Sequence, residues 1–376
     1  MAEKKNVCMI GPLPPPVTGL SKALDTILTS EECLKAYDFE VIDLGRLYEV
    51  SGSKMSLSKV TGLFRLLKRV KQVIHRGQTD TYYLAIAQST IGVLRDVAIL
   101  RLIRKDGHAN RIVIHLHGGG FRNFYQQCAP WLQRLIQKSY SCVTCAVVLG
   151  NSLRNMFEGV LPPEKIAVIP NCVDDEFIVP DAALENRLSS LEGGRALQVL
   201  YLSNMIREKG YPDVLEAARI CAENGVNAHF VFAGKFYSEA EEEAFRNMIA
   251  QEPYASCVEY AGIVAGEEKL RLLEQSDVFT LPTYYPHEGQ PITIIEAMSA
   301  GMPVICTNHA GICDLVADGV NGVFVAPQVP QAIAAAVRHY CEDRSLLLHH
   351  SRAGRKAALE NFTEQQYTDR IIQILK

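Results

Sequence analysis

The sequence predicts an α/β protein built as two doubly wound domains that face each other across a cleft. Three observations carry this. At 376 residues the chain exceeds one comfortable hydrophobic core and suggests two or three domains. Short β-rich runs alternate with helix-length amphipathic stretches, and this alternation occurs twice with a break between, as parallel sheets made of βαβ units require. The halves also differ in charge. Residues 1–173 hold 22 Lys and Arg against 13 Asp and Glu, a net +9, leaving 16 against 29, a net −13, for the rest of a chain whose total is −4.

Composition narrows the class. With 48% hydrophobic and 21% charged residues the chain is ordinary globular material. No apolar run approaches the ~18 residues of a spanning helix, and the start, MAEKKNVCMIGPLPPP, lacks the long apolar core of a secretion signal, so the expected location is the cytoplasm. Eleven cysteines without framework spacing read as reduced thiols, several of them small core residues. Cys142 and Cys145 form a CxxC that reads as part of a buried strand, because no second pair follows at zinc spacing.

Taken in order, the expected strands of the first half are NVCMIG, YDFEVIDL, TYYLAIA, RIVIHLH and CAVVLG. The break falls at residues 168–194, rich in Asp, Pro and Gly and weak in periodicity. QVLYLSN, AHFVFAG, CVEYAG, DVFTLPT and MPVICT follow. The boundary is therefore set at residue 172, with domains 1–172 and 173–359. In doubly wound sheets ligands bind outside the carboxyl ends of the strands, so the loops after these runs should carry function.

Each such loop has its own chemistry. After the first strand, GPLPPPVTGL stiffens the chain with three prolines and brings Gly19 to a helix start near Leu20 or Ser21, where either a phosphate approaches the backbone or a rigid turn simply ends. Residues 62–76, GLFRLLKRVKQVIHR, place Leu63, Leu66, Leu67, Val70, Val73 and Ile74 on one helical face, with Arg65, Lys68, Arg69, Lys71 and Arg76 around it. That helix either lies on anionic lipid or packs on the sheet with a solvated basic back. In RIVIHLHGGGF, strand alternation puts His115 and His117 on the same side, ahead of three glycines. The two histidines serve as metal ligands lacking a third partner, as satisfied structural residues, or as polar groups at a cleft floor.

The second half supplies cations and carboxylates. In VLYLSNMIREKGYPD, Arg207 and Lys209 fall in the loop before a helix that Pro212 helps to start, where they hold a diphosphate or form a solvated turn. HEGQPITIIEAMSAG then puts Glu288 in a proline-bracketed loop and Glu296 inside the following helix, with Gly301 as the helix stop. Seven residues lie between them, which is not the spacing of helical neighbours, so they read as separate tools. Gly289, Gln290 and Pro291 form the helix edge, with backbone N–H groups at Gln290, Ile292 and Thr293 open to an anion. One glutamate suits a ribose diol and the other a sugar.

These stretches together resemble the family-four glycosyltransferases, the retaining glycosyl transferases group 1 of the GT-B fold. HEGQPITIIEAMSAGMPVICTNHAGICDLVADGVNGVFV is similar to their nucleotide-sugar signature, and TGL, HLHGG, VIPNCVD, LSNMIREKG, VFAGK and YAGIV extend the likeness along nearly the whole chain. The resemblance implies two Rossmann-like domains, with a C-terminal helix, about 360–376, packing back on the first. It implies that Glu296 binds ribose hydroxyls, that Glu288 contacts the donor sugar, and that backbone from Gly289 through Gln290 and Pro291 to Ile292 meets sugar and diphosphate. By the same likeness Lys209 neutralises the diphosphate, Gly19 approaches it from the other domain, backbone near Ile263 holds the base, and His117 faces the reacting sugar. Thr18, Gly118 and Gly119 fall on the acceptor side. Two positions depart from the pattern: Ser203 and Asn204 stand where Gly-Arg is frequent, so Arg207 substitutes for that cation or Asn204 gives a neutral hydrogen bond, and Asp314 stands where Glu is common.

The implied reaction moves a sugar from a nucleotide-sugar, UDP-sugar favoured, to a glycan or lipid-linked acceptor in bacterial surface polysaccharide assembly, with the leaving phosphate assisting on the same face. Charge grows on the leaving oxygen and the ring, which Lys209 and the helix edge are suited to meet. The chain contains no D-x-D, so no cofactor and no obligatory metal are expected. Partners are donor, acceptor and, through residues 62–76, an anionic membrane surface on the inner face of the cell membrane. Nucleic acid is not expected, for want of a recognition motif. A sugar-nucleotide 2-epimerase and a non-catalytic nucleotide-sugar-binding module remain the rival classes.

Overall fold

KNVCMIG folds as β1, Lys5–Gly11, with its last five residues buried, and such near-continuous apolar runs are what strands covered on both faces require. The computed structural model describes residues 4–47, 57–105 and 111–376. Two compact units emerge, Met1–Asn171 with Gln365–Lys376 and Cys172–Glu364.

In the first unit β1 is joined by β2 (Tyr37–Asp43), β3 (Thr81–Ala85), β4 (Arg111–His115), β5 (Cys145–Val148) and β6 (Ile166–Val168) in the order β2-β1-β3-β4-β5-β6, all parallel. The second unit holds β7 (Leu197–Leu202), β8 (Ala228–Ala233), β9 (Val258–Gly262), β10 (Val278–Leu281), β11 (Val304–Cys306) and β12 (Gly322–Phe324) in the order β12-β11-β10-β7-β8-β9, again parallel. Both are doubly wound. Strand order reverses between β1 and β3 in one sheet and between β7 and β10 in the other, and these switch points are where such sheets open a crevice at their carboxyl ends.

The ten expected strands all form. The short β6 had no counterpart among them, and β12 entered only through the family likeness. The break at residues 168–194 is corrected more substantially, because it contains the helix Asp181–Glu192. Leu184, Leu188 and Leu191 are buried along one side of it, a helical period that Pro180 and the Gly193-Gly194 pair had obscured.

The helix Gly19–Thr29 begins one residue before the expected start. Thr18 caps it, its hydroxyl accepting from the Ser21 N–H at 3.1 Å while the Ser21 hydroxyl accepts from the Thr18 N–H at 2.8 Å, a reciprocal box that fixes the entry. The helix Leu57–Arg76 buries Leu66, Val70, Val73 and Ile74 within the first unit. Arg69 and Arg76 meet Glu40 on β2 at 2.8 and 3.0 Å. Its apolar stripe is thus covered by the sheet, which corrects the expectation that this face rests on lipid. The final helix Glu364–Leu375 lies against the same unit, where the Tyr37 hydroxyl donates to the Ile372 carbonyl at 2.9 Å.

Candidate functional site

The switch point of the second sheet puts two loops side by side. After β7 the chain runs through Ser203 and Asn204 into a single 3-10 turn, Arg207–Lys209, and Gly210 then starts the helix Tyr211–Glu223 with Pro212 in its first turn. Gly210 has φ +84, and a Cβ there would stand 2.7 Å from the Pro282 carbonyl oxygen. Only glycine fits, because the loop after β7 presses directly on the loop after β10. The Tyr284 N–H donates to the Glu208 carbonyl at 2.8 Å and completes the seam.

Across that seam Lys209 Nζ lies 3.4 Å from Glu288 Oε2, and the Thr283 hydroxyl donates to the same oxygen at 3.1 Å. Glu288 is buried. Lys209 also stands 5.8 Å from the centre of the Tyr285 ring. Beneath the loop, the Tyr201 phenol is held well above its ordinary range by burial and then by the Glu288 carboxylate. The structure thus brings Glu288 and Lys209 together, whereas the sequence read the glutamate as directed only at sugar.

Glu296 is the fifth residue of the helix Ile292–Ser299 and is 2% exposed. Its Oε1 takes a 2.6 Å contact from Lys269 Nζ on the neighbouring helix Gly266–Gln275. Lys269 in turn lies 3.9 Å from the centre of the Phe177 ring. A buried carboxylate needs such a counter-charge to stay ionised. Sequence reasoning missed Lys269, since a lysine within GEEKLRLLEQ reads as part of a solvated charged face.

The rest of the predicted constellation sorts by unit. Gly289, Gln290 and Pro291 are buried at the helix edge and Ile292 is half-buried. The Gly311 N–H donates to the Gly289 carbonyl at 2.9 Å, and a Cβ on Gly311 would come within 2.6 Å of that oxygen. His309 Nε2 carries the proton it donates to the Tyr285 carbonyl at 2.8 Å. Ile263, just past β9, is 67% exposed, and Asn204 and Arg207 are exposed as well. What anchors this assembly is Arg187, which donates to the Leu273 and Glu274 carbonyls at 2.9 and 3.3 Å and to the Ala300 and Gly301 carbonyls at 2.6 and 3.1 Å. One guanidinium thereby ties the ends of the helices that carry Lys269 and Glu296.

In the first unit Thr18 and Gly19 are exposed after β1. His115 and His117 share a side, their ring centres 3.9 Å apart. The buried His115 ring meets the Tyr83 hydroxyl through Nδ1. His117 keeps a buried Nε2 without a hydrogen-bond partner, and desolvation lowers its pKa to about 3. It is therefore a neutral imidazole at physiological pH. Gly118 and Gly119 follow in a turn that Gln88, from the loop after β3, closes by accepting from the Gly120 N–H at 2.8 Å.

Within the second unit, residues 185–357 match the glycosyl transferases group 1 family. The second unit belongs to the group 1 glycosyltransferases. A Salmonella typhimurium protein named for colanic acid biosynthesis, the glycosyltransferase WcaL, is 26% identical over 294 residues, 76% of this chain and 67% of that protein. The GDP-mannose:cellobiosyl-diphosphopolyprenol alpha-mannosyltransferase of Xanthomonas oryzae is 22% identical over 338 residues, 86% of this chain and 84% of that enzyme. The Anabaena protein HepE, crystallised with UDP, superposes with a TM-score of 0.73 at 17% identity over 98% of this chain and 99% of its own. At that identity the likeness shows the fold, which is GT-B. Within the matched residues, HEGQPITIIEAMSAG is the loop and helix that hold Glu288 and Glu296.

Proposed function

We propose that this glycosyltransferase is a retaining, metal-independent hexosyltransferase. It moves a sugar from a nucleotide-sugar to a glycan or lipid-linked acceptor in bacterial surface polysaccharide biosynthesis. The observation that carries the reading is the pair of buried carboxylates on one loop-helix segment, each with its own lysine. Glu296 accepts from the ribose diol, its Oε1 oriented by Lys269. Glu288 orients the donor sugar, and Lys209 turns to the diphosphate as charge grows on the leaving oxygen. Gln290, Pro291 and Ile292 border the sugar-diphosphate junction, Ile263 the base, and Arg207 supplies the cation absent at Asn204. On the first unit His117 presents a neutral imidazole to the reacting sugar, Gly19 approaches the diphosphate, and Thr18, Gly118 and Gly119 border the acceptor. As the likeness to the group 1 glycosyltransferases implies, the leaving phosphate assists the incoming hydroxyl on its own face, and the product keeps the donor's anomeric configuration.

UDP is the favoured nucleotide because the Anabaena relative was crystallised with it. GDP is the competing choice, since the Xanthomonas relative is named for GDP-mannose. The test is thermal protection by a panel of UDP- and GDP-sugars, followed by incubation of the stabilising donor with and without lipid-linked acceptor and assignment of the product anomer by proton NMR. Acceptor-dependent product of retained configuration, unaffected by chelator, is expected. Donor isomerisation without acceptor would identify a 2-epimerase, and donor binding without turnover a binding module.

A further inference from the structure

Behind His117 the first unit buries a line of polar groups that the proposed reaction does not use. His115 on β4 pairs in register with Ala85 on β3, and Tyr83, two residues before Ala85, shares its face of the sheet. Both side chains are fully buried. His115 Nδ1 meets the Tyr83 hydroxyl, and that hydroxyl is also hydrogen-bonded to Tyr367 on the final helix. Tyr367, buried as well, donates to the Ala23 carbonyl of the helix Gly19–Thr29 at 3.3 Å. Four elements thus contribute to one chain that runs from an imidazole through two phenols to a backbone oxygen.

The far end of the chain sets its direction. A carbonyl only accepts, so the Tyr367 proton points to Ala23 and the Tyr367 oxygen is left to accept. Tyr83 then donates its single proton to Tyr367, and its own oxygen accepts from His115 Nδ1. The His115 ring is neutral, because burial and then the neighbouring His117 hold its pKa well below the ordinary value. A neutral imidazole has one N–H, so His115 Nε2 is a bare acceptor. Its surroundings agree. That nitrogen is buried without a hydrogen-bond partner, and the reverse direction would leave an orphaned buried N–H there, a rarer defect than an unused acceptor.

We infer that this chain locks His115 as its Nδ1–H tautomer and that His115 is a positioning residue, the fixed plate on which the His117 imidazole lies. The two ring centres are 3.9 Å apart, with planes inclined by 38°. His117 Nε2 has no hydrogen-bond partner, and the three glycines that follow bring no side chain to brace it. Packing on His115 therefore sets the plane of the His117 ring. The inference deepens the reading that His117 faces the reacting sugar and rests on that reading for its consequence in rate, whereas the tautomer and the ring order belong to the protein without donor.

Histidine-selective labelling of the full chain with 15N and 13C, using His115→Gln and His117→Gln to assign two of the ten rings, reads both properties by NMR without nucleotide. His115 should show a protonated Nδ1 and a bare Nε2. Tyr367→Phe should move that proton to Nε2, because the Tyr83 phenol, once released, is the stronger acid and donates to the imidazole. Ring relaxation should show His117 losing order in His115→Ala and regaining it in His115→Phe, which keeps a plate without its nitrogens. In initial-rate measurements His115→Ala should lower kcat about tenfold with donor KM little changed, and His115→Phe should recover part of the loss. A native His115 protonated at Nε2 overturns the chain, as does a tautomer indifferent to Tyr367→Phe. Equal His117 order in the native protein and His115→Ala overturns the positioning role. Lost order with an unchanged rate would uphold the plate and count against His117 acting on the sugar.

Discussion

Glu288 and Glu296 share a loop and a short helix, yet their carboxylates face different lysines, Lys209 at 3.4 Å and Lys269 at 2.6 Å. If Glu296 accepts the ribose diol, Glu296→Ala removes charge-assisted hydrogen bonds worth about 1.5–3 kcal/mol and should weaken free UDP at least tenfold by calorimetry. Glu288→Ala should leave UDP affinity nearly unchanged and lower the transfer rate instead; equal losses of UDP affinity would reject the division. The two glutamates and Lys209 were legible because spacing and punctuation placed them on a loop and a helix. Lys269 was not, since its meaning depends on a neighbouring helix that no local pattern names. His117 supplies a second prediction. Its folded pKa of about 3 lies below the ordinary 6.5, so between those values the unfolded chain binds a proton that the native chain does not. Stability is therefore full above about pH 6.5 and is lost as pH falls towards 3. Denaturant midpoints measured down that range should fall, and less steeply in His117→Gln. The same shift means that His117 contributes no limb near pH 6.5 to the rate profile.

Alternation of β-rich and helical runs made ten of the twelve strands readable, because parallel strands covered on both faces are continuous apolar runs. β6, only three residues long, is too short to show any period, and the helix Asp181–Glu192 was hidden by the turn-forming residues that bound it. That helix matters because it delivers Arg187, whose pKa burial lowers to about 10 and whose donors hold the ends of the helices bearing Lys269 and Glu296. Arg187→Ala should destabilise the second unit by about 3 kcal/mol or more, by leaving buried carbonyls unpartnered, and a loss under 1 kcal/mol in urea titration would show that water replaces it. The loop after β7 carries the next test at this scale. Asn204→Arg should tighten donor binding, and Arg207→Ala should harm the native protein more than the Asn204→Arg protein if one guanidinium stands in for the other. Additive effects on initial rates across the four combinations would dispose of that substitution.

At the scale of the whole chain, the basic and acidic halves read from the sequence correspond closely to the two compact units. Most of the first unit's positive charge is spread over helices that flank its sheet, while the second unit, acidic overall, concentrates Arg207, Lys209 and Lys269 near the carboxyl ends of β7, β9 and β10. An acidic unit that binds an anionic nucleotide must do so through such local cations, so binding should be confined to the loops that carry them. Hydrogen exchange on the full chain tests that confinement. Saturating UDP should slow exchange in residues 203–210, 262–269 and 283–296 and leave the helices Leu57–Arg76 and Pro130–Tyr140 unchanged. At a hundred times its Kd it should raise the stability of the second unit by about 2.7 kcal/mol. If diphosphate and ribose are read at 203–210 and 283–296 and the base is held beside exposed Ile263, GDP should reproduce the pattern at the first two segments and fail at 262–269. Equal protection by both nucleotides at 262–269 would mean that the base is not discriminated there, and protection spread evenly over both units would contradict a nucleotide site built on the β7–β10 switch point.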